Sequence, residues 1–216
     1  MVLTKRNFYT SKLYSEKRIG PHNRDVVSFL IKNLLGDGYA EKRNNATRFH
    51  IFISNKNAEY IFWLHSFFKK NGYCSAEKPK VKKQIGKHNV IYFSIKFTTF
   101  SFSSLNFLYD LFYVKKQINN EICFKKVMPK NISSLINEKV LAAWFMDDKK
   151  KSGSGFKISI GNFSYDEHVL LQKAFLEKFN LCCTIQKHKN KFIFFFKKAD
   201  KEKFSNIVKL HMFNVL

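Results

Sequence analysis

The chain repeats one order of predicted elements, and this repeat constrains the fold more than any other sequence feature. In the first copy, an apolar helix over residues 25–35 runs into Gly36-Asp37-Gly38. A strand over residues 48–54 follows, and then a helix over residues 58–70. A hairpin with its outer strand over residues 90–98 completes the copy. The order is therefore helix, acid, strand, helix and hairpin.

The second copy begins with a helix predicted over residues 137–147, which leads to Asp148, 111 residues after Asp37. Its remaining elements are, in order, a strand over residues 156–160, a helix that follows Ser164, and strands over residues 183–186 and 191–197. Ser164 and Glu167 form a capping-box pattern, in which a hydroxyl and a carboxylate satisfy free amides of the first helical turn. Two copies of one unit predict a monomer with internal pseudo-two-fold symmetry.

The predicted strands alternate apolar side chains with basic and polar ones. Phe49 and Ile51 fall on one face of their strand, while Arg48 and His50 fall on the other. A sheet with one basic face suits a surface that lies against a nucleic-acid groove, although a solvated face would show the same pattern. The candidate nucleic-acid contacts are Arg48, His50, Tyr92, Lys96, Lys149, Lys150, Lys151, Lys157, Lys187 and Lys189.

The charge of the chain indicates the class of its partner. It has 39 lysines and arginines against 16 acids, which gives a formal net charge of +23. Apolar residues make up 45% of the chain, so a folded body rather than a disordered tail carries this charge. Because so much like charge repels itself, we expect a polyanionic partner, with nucleic acid favoured over an anionic membrane surface.

Several other classes of protein do not fit the sequence. No apolar run approaches the roughly 18 residues that cross a bilayer, so no membrane-spanning segment is expected. The four cysteines, at positions 74, 123, 182 and 183, lack the spacing of a zinc site. Neither a nucleophile triad nor a phosphate-cradling glycine loop is present.

Asp37 and Asp148 each follow a predicted apolar helix, one in each copy. If the two helices pack side by side, the carboxylates meet, and paired acids of that kind hold Mg²⁺ against a scissile phosphate. A Gly-Asp-Gly turn is common, so Asp37 by itself is a weak signal. Asp148 stands where the helix dipole disfavours an acid, which points to a functional reason for its presence.

These segments resemble the LAGLIDADG homing endonucleases. The run Leu34-Leu35-Gly36-Asp37-Gly38-Tyr39 is similar to the first motif of that family. Residues 127–132 and the run Leu141-Ala142-Ala143-Trp144-Phe145-Met146-Asp147-Asp148 are similar to the linker and second motif of its two-motif, single-chain members. The resemblance continues through residues 162–164 and 178–182, and it covers the chain from about residue 25 to the C-terminus.

The resemblance implies an α+β fold of two pseudo-symmetric αββαββα halves, which form a saddle of antiparallel sheets with the two motif helices at the interface. It also implies Mg²⁺-dependent cleavage of both DNA strands, with Asp37 and Asp148 as metal ligands and catalytic residues. Lys125 or Lys126 would be the basic residue of the first active site. The implied domains are a basic N-terminal arm over residues 1–24, a first half over 25–124, a linker over 125–136 and a second half over 137–216.

The sequence departs from the family pattern at four places. Lys32-Asn33 stands where the family has a small and an apolar residue, so Lys32 is expected either to reach solvent or to push the motif helices apart. Lys149-Lys150-Lys151 replaces the glycine after the second acid, where these charges would compete with a metal for Asp148. The other two departures are Asn137-Glu138 in place of a Thr-Pro helix start and an end at Leu216, before a second counterpart of Lys125 and Lys126.

Two functions remain open at this point. One is RNA binding without cleavage, by an intron maturase or by a protein recruited among the ribosomal proteins of an organelle. The net charge, the basic arm and the altered second site favour this function. The other is an active Mg²⁺-dependent DNA endonuclease that acts on a duplex, which the retained Asp37 and Asp148 favour. Frequent Phe, Lys, Asn and Ile indicate an AT-rich genome, so we expect a mitochondrial, organelle-encoded protein, with the plastid as second choice.

Overall fold

The computed structural model describes residues 13–19, 21–54, 58–85, 89, 91–147, 151–152, 155–189 and 191–212. The helices are α1 (Arg24–Leu35), α2 (Ala58–Lys70), α3 (Asn106–Phe112), α4 (Ile132–Leu135), α5 (Glu138–Asp147), α6 (Tyr165–Phe179) and α7 (Lys198–Lys209). The strands are β1 (Tyr39–Arg43), β2 (Ala46–Ser54), β3 (Lys80–Ile85), β4 (Ile91–Thr98), β5 (Tyr113–Ile118), β6 (Glu121–Lys126), β7 (Lys151–Ser152), β8 (Gly155–Ser159), β9 (Cys183–His188) and β10 (Lys191–Phe196). Half of the predicted basic arm, residues 1–12, lies outside the described residues.

The two repeats have the same elements in the same order. From α1 to α3 and again from α5 to α7, the chain follows the order αββαββα. The first sheet has the strand order β1-β2-β4-β3 and the second has β7-β8-β10-β9, each with antiparallel neighbours. This confirms the predicted α+β fold of two αββαββα repeats.

The described chain forms two compact units, the first with residues up to 26 and 38–109, the second with residues 27–37 and from 110 onward. In the first unit, α2 packs on the apolar face of the first sheet. Phe49 and Ile51 of β2 are 0% and 2% exposed, and the Phe97 ring lies 5.7 Å from the Phe68 ring of α2. The apolar alternation predicted for β2 is therefore confirmed.

The second unit buries the second sheet against α6 and α7. Phe156 of β8 stacks on Phe196 of β10 with ring centroids 4.6 Å apart, and Phe204 of α7 lies 4.6 Å from Phe156. On the same sheet face, Phe194 lies 5.2 Å from Phe175 of α6. Large aromatic rings thus contribute to the contact between this sheet and its helices.

The start of α6 agrees with the capping box predicted from the sequence. The Ser164 hydroxyl accepts a hydrogen bond from the Glu167 backbone N–H, and the Glu167 carboxylate accepts one from the Ser164 backbone N–H at 2.7 Å. The same carboxylate accepts a further hydrogen bond from the backbone N–H of Met128 at 2.8 Å. Glu167 therefore fixes both the start of α6 and the segment that precedes α4.

Several elements had no residue range in the sequence-based expectations, among them β1, α3, β5, β6, α4, β7 and α7. The short β1 carries the sequence Tyr-Ala-Glu-Lys-Arg, which has no run of alternating apolar residues. A two-stranded ribbon of β5 and β6 covers residues 113–126 and ends with Lys125 and Lys126. Among the helices of the described residues, none is long and apolar enough to span a membrane.

Candidate functional site

The turn that carries Asp37 follows directly from the buried helix α1. Leu34 and Leu35 are fully buried, and the Gly36 N–H donates to the carbonyls of Lys32 and Asn33 at 3.0 and 3.2 Å. Asp37 itself is exposed. The helix therefore presents this carboxylate to solvent from a fixed end.

Two hydrogen bonds from distant parts of the sequence hold this turn. The Gly161 N–H donates to the Leu35 carbonyl at 2.7 Å, and the Lys126 ammonium donates to the Gly36 carbonyl at 2.8 Å. A Cβ atom on Gly161 would lie 2.6 Å from the Gly36 oxygen, so only glycine allows this approach. Gly161 is thus a site residue that sequence reasoning missed, since only the long-range contact distinguishes it from other glycines.

Lys126 is the basic residue that the structure places beside Asp37. Burial lowers the pKa of Lys126 to about 8, a shift that the Asp37 carboxylate opposes and Lys191 reinforces. The ammonium also lies 5.5 Å from the centre of the Phe163 ring. Lys125 is exposed on the opposite side of β6, so of the two predicted alternatives Lys126 accompanies the acid. An acid next to a lysine that titrates near neutral pH can bind a cation or a phosphate and can exchange a proton.

The second predicted acid falls outside the described part of the chain. Helix α5 ends at Asp147, and Asp148, Lys149 and Lys150 lie beyond the described residues, as does the side chain of Lys151. Among the described residues, no group of three or more His, Cys, Asp and Glu side chains could hold a metal ion. Of the two predicted metal ligands, Asp37 is the one that the structure describes.

Two residues that depart from the family pattern in the first motif helix lie inside the protein. Lys32 and Asn33 of α1 are both 7% exposed. Most of the Lys32 residue is therefore covered by protein. The start of α5 also approaches α1, because the Asn137 amide donates to the Ser28 hydroxyl at 2.9 Å.

The strand register defines a basic face of the first sheet, on the side away from α2. Its described side chains are Tyr39, Glu41, Arg43, Ala46, Arg48, His50, Phe52, Lys80, Ser94, Lys96 and Thr98. The predicted contacts Arg48, His50 and Lys96 therefore share one face, whereas the side chain of Tyr92 lies outside the described part of the chain.

Glu41 lies on the edge strand β1 and binds three basic side chains of the basic face. Arg48 donates to its carboxylate at 2.8 Å and His50 at 2.9 Å, and Arg43 donates to its other oxygen. Burial opposes ionisation of this carboxyl, but the hydrogen bonds from His50, Arg48 and Arg43 outweigh it and lower its pKa to about 2. The carboxylate stays charged and orients the cations around it. No sequence pattern indicated this cluster, because its members meet only through the pairing of β1 with β2.

His50 is buried beneath a tyrosine ring on the same face. The Tyr39 and His50 rings stack at 4.3 Å with an angle of 17° between them, and His50 is 5% exposed. Burial lowers the pKa of His50, with the charges of Lys96 and Arg48 adding to the shift and Glu41 opposing it. Its Nδ1 lies 3.2 Å from the Thr98 hydroxyl, as suits a neutral ring whose Nε2–H donates to Glu41. His50 therefore supports the basic face rather than presenting its own ring to a ligand.

An open cavity of about 300 Å³ lies at the end of the basic face. Its lining includes Lys78, Lys80 and Lys96 together with Glu77, and also His65, Cys74 and Phe97, of which His65 is on α2 and Phe97 packs against it. Lys80 and Lys96 are direct partners across β3 and β4, so their side chains leave the sheet on the same side. The cavity can therefore receive an anionic group.

The strand register places the predicted contacts Lys157 and Lys187 on opposite faces of the second sheet. Lys157 of β8 is opposite Phe195, on the face away from α6, whereas Lys187 of β9 is opposite Phe192. The Phe192 ring contacts His168 of α6 at 5.5 Å, so Lys187 lies on the face toward the helices, although Lys187 itself is exposed. Lys189 follows β9 in a left-handed conformation with φ 54° and is exposed.

Residues 27–204 match the profile of the LAGLIDADG DNA endonuclease family. The chain is 33% identical over 180 residues to the cytochrome b mRNA maturase bI2 of Saccharomyces cerevisiae, a match that covers 82% of this chain and 42% of the maturase. It is 33% identical over 155 residues to the intron-encoded endonuclease ai4 of Dictyostelium discoideum, covering 69% of this chain and 92% of that protein. The chain spans less than two thirds of the length of the two maturases that it matches, 42% of one and 62% of the other.

Among solved structures, the fold is similar to that of the homing endonuclease I-WcaI bound to its DNA recognition sequence. The TM-score is 0.72 at 24% sequence identity, and the match covers 93% of this chain and 87% of the other. At this identity the likeness concerns the fold alone.

Proposed function

Because this chain belongs to the LAGLIDADG DNA endonuclease family, we propose that it binds a folded organellar RNA, as an intron maturase, with its cleavage activity weakened or lost. Nucleic-acid binding is common to the intron maturases and intron-encoded endonucleases that it resembles. The choice of RNA, the mitochondrial location and the loss of cleavage are the parts that we propose.

The observation that carries this proposal is the basic face of the first sheet. Its one described carboxylate, Glu41, is occupied by hydrogen bonds to Arg43, Arg48 and His50. The face therefore carries a net positive charge without a free acid among its described residues. Phosphates that displace small counterions from such a surface provide salt-sensitive affinity. The chain as a whole carries +23, which extends this attraction.

RNA suits this surface because the basic face also carries an exposed aromatic ring. Tyr39 is 39% exposed and stands among the cations. Bases in RNA loops and bulges are unstacked and can pack on aromatic side chains, whereas bases in a DNA duplex are already stacked. The 33% identity to a cytochrome b mRNA maturase agrees with this choice.

Loss of cleavage is proposed from the surroundings of the two acids. Asp37 and Asp148 would together hold Mg²⁺, which when bound activates water and stabilises a leaving oxygen. The lysines at 149, 150 and 151 directly follow the second acid in sequence and would compete with the metal for it. Lys126 and Gly161 hold the turn that presents Asp37.

The test is to purify the protein from its native source and sequence the nucleic acid that accompanies it. We expect intron RNA that resists DNase. Ribosomal RNA would instead support a protein recruited to an organellar ribosome and would overturn the maturase assignment. A single DNA locus that is cut after addition of Mg²⁺ would overturn the RNA proposal altogether.

A second candidate, an active DNA endonuclease, is favoured by the geometry around Asp37. An exposed acid beside Lys126 is what metal-dependent phosphodiester cleavage would require in the first half. This candidate predicts Mg²⁺-dependent cutting of intron-insertion DNA that Asp37→Asn abolishes. A matched variant, Asp110→Asn, changes another exposed acid of the same unit and should leave the cutting unchanged.

A further inference from the structure

Tyr39 and His50 form a preassembled aromatic stack on the basic face. They are direct cross-strand partners in β1 and β2, and their rings lie 4.3 Å apart and nearly parallel. The outer ring, Tyr39, is 39% exposed, while the inner ring, His50, is 5% exposed. His50 therefore covers one side of the Tyr39 ring, and the Tyr39 residue as a whole is partly accessible to a ligand.

Hydrogen bonds on both ring nitrogens hold the inner ring in place. His50 Nε2 donates to Glu41 at 2.9 Å, and its Nδ1 accepts from the Thr98 hydroxyl at 3.2 Å. Phe52 flanks the Tyr39 ring at 5.6 Å with an angle of 28°. Because these neighbours already restrict the Tyr39 side chain, that side chain loses little additional freedom when a base stacks on it.

Cations surround the exposed ring. The Lys96 ammonium lies 5.8 Å from the centre of the Tyr39 ring and 4.8 Å from that of Phe52. On the far side of Lys96 is the 300 Å³ cavity, whose lining also includes Lys78 and Lys80. Arg48 stands on the other side of the stack, bound to Glu41. An aromatic ring next to several lysines can bind a base on the ring and the adjoining phosphates on the lysines.

We infer that Tyr39 is a stacking platform for one unpaired base of an RNA loop, with the adjoining phosphates bound by Lys96 and by the cavity that contains Lys78 and Lys80. The inference rests on the proposed RNA-binding function and specifies where on the protein an unpaired base binds. His50 and Glu41 act as positioning residues, because they hold the platform without touching the RNA. A fully paired duplex offers no free base to this site, so the platform selects loops and bulges over continuous helices.

The experiment compares two probes, an RNA stem–loop with an adenine-rich loop and a blunt RNA duplex of the same total charge. Binding is measured by fluorescence anisotropy for the wild type, Tyr39→Phe and Tyr39→Leu. The control is Tyr165→Leu, which removes a tyrosine that is 51% exposed at the start of α6 in the other unit. Thermal melting of each variant checks whether the fold is kept.

We expect Tyr39→Leu to weaken stem–loop binding by about five- to 150-fold, the range for loss of one base–aromatic stack. Tyr39→Phe keeps the ring and should bind like the wild type, as should Tyr165→Leu. Affinity for the duplex should be the same in all four proteins. An equal loss on both probes, or no loss on either, would overturn the platform.

A second measurement does not depend on any variant. The wild type is irradiated with a stem–loop that carries 5-iodouridine in the loop, and the crosslinked peptide is sequenced. A crosslink at Tyr39 supports the inference, and crosslinks confined to other segments contradict it. Failure of the wild type to bind the stem–loop at all would count against the proposed RNA function. Normal stem–loop binding that does not depend on Tyr39 would count against the platform alone.

Discussion

The backbone N–H of Gly161 donates a 2.7 Å hydrogen bond to the carbonyl of Leu35, two residues before Asp37. The two residues are far apart in sequence, and each belongs to a different repeat. Their contact, together with the Lys126 hydrogen bond to Gly36, joins the end of the first motif helix to the end of β8 and to the ribbon. The position of the candidate acid thus depends on residues outside its own motif.

Gly161→Ala should destabilise the protein by about 1–3 kcal/mol, the usual cost of forcing an atom into a packed site. The added Cβ would lie 2.6 Å from the Gly36 oxygen, so backbone on one side of the contact must move. Urea unfolding measures the difference. Gly36→Ala is the matched control, because its Cβ would lie at an ordinary 3.5 Å from the Lys32 oxygen. Equal stabilities of the two variants would contradict the close approach.

Lys126→Met should change how stability depends on alkaline pH. Burial lowers the pKa of Lys126 to about 8 in the folded protein, while the unfolded chain keeps the usual value near 10.5. Between these values the unfolded state binds more protons, so the wild type gains stability as pH rises from about 8 to 10.5. The variant lacks this contribution.

The measurement is the free energy of unfolding in urea at several pH values across that range, for the wild type and Lys126→Met. Lys125→Met makes the same chemical change at the exposed neighbouring position and should follow the wild type. Parallel profiles for wild type and Lys126→Met would show that Lys126 titrates normally.

Glu41→Gln should remove a contribution to stability that disappears in acid. The folded-state pKa of Glu41 is about 2, below the usual 4.5 of the unfolded chain, because His50, Arg48 and Arg43 stabilise the carboxylate. Its contribution is therefore present above about pH 4.5 and is lost as pH falls through 2. The difference in unfolding free energy between wild type and Glu41→Gln should shrink over that interval. Glu121→Gln, at an exposed position in the ribbon, serves as the control, and an equal pH response of both variants would be the contrary result.

Lys157→Gln and Lys187→Gln should affect nucleic-acid binding differently, although each removes one charge from the second sheet. Lys157 lies on the face away from α6, while Lys187, itself exposed, is opposite Phe192 on the face toward α6. Loss of one phosphate contact lowers the slope of log affinity against log salt by about one. We expect this reduction for Lys157→Gln and an unchanged slope for Lys187→Gln. A reduced slope for Lys187→Gln with an unchanged slope for Lys157→Gln would show that the face next to the helices contacts the nucleic acid.

Much of the local structure was predictable from neighbouring residues. Helix α2 has the bounds that its apolar spacing and its glycine stop predicted, and the Ser164–Glu167 capping box is present at the start of α6. These features depend on side chains three or four positions apart, so the sequence contains all the partners that they need. The ribbon of β5 and β6 was not predicted, because strongly polar strands give no clear alternation.

From the sequence, only those site residues could be predicted that match a motif of the family. The resemblance to a family motif identified Asp37 and left Lys125 and Lys126 as alternatives for the basic residue. The structure places Lys126 next to the acid. Lys187 could not be separated from Lys157 without the register, since a shift of one residue exchanges the faces of a strand.

By itself, the sequence determined the repeat, the order of the main elements, the apolar face of the first sheet and the excess of positive charge, because these depend on residue type and short-range spacing. Only the tertiary structure decided that Gly161 and Lys126 hold the turn of Asp37, and that Glu41 binds Arg48 and His50 beneath Tyr39. Those contacts join strands and turns distant in sequence, and they form only after burial of the apolar faces has fixed how the strands pair.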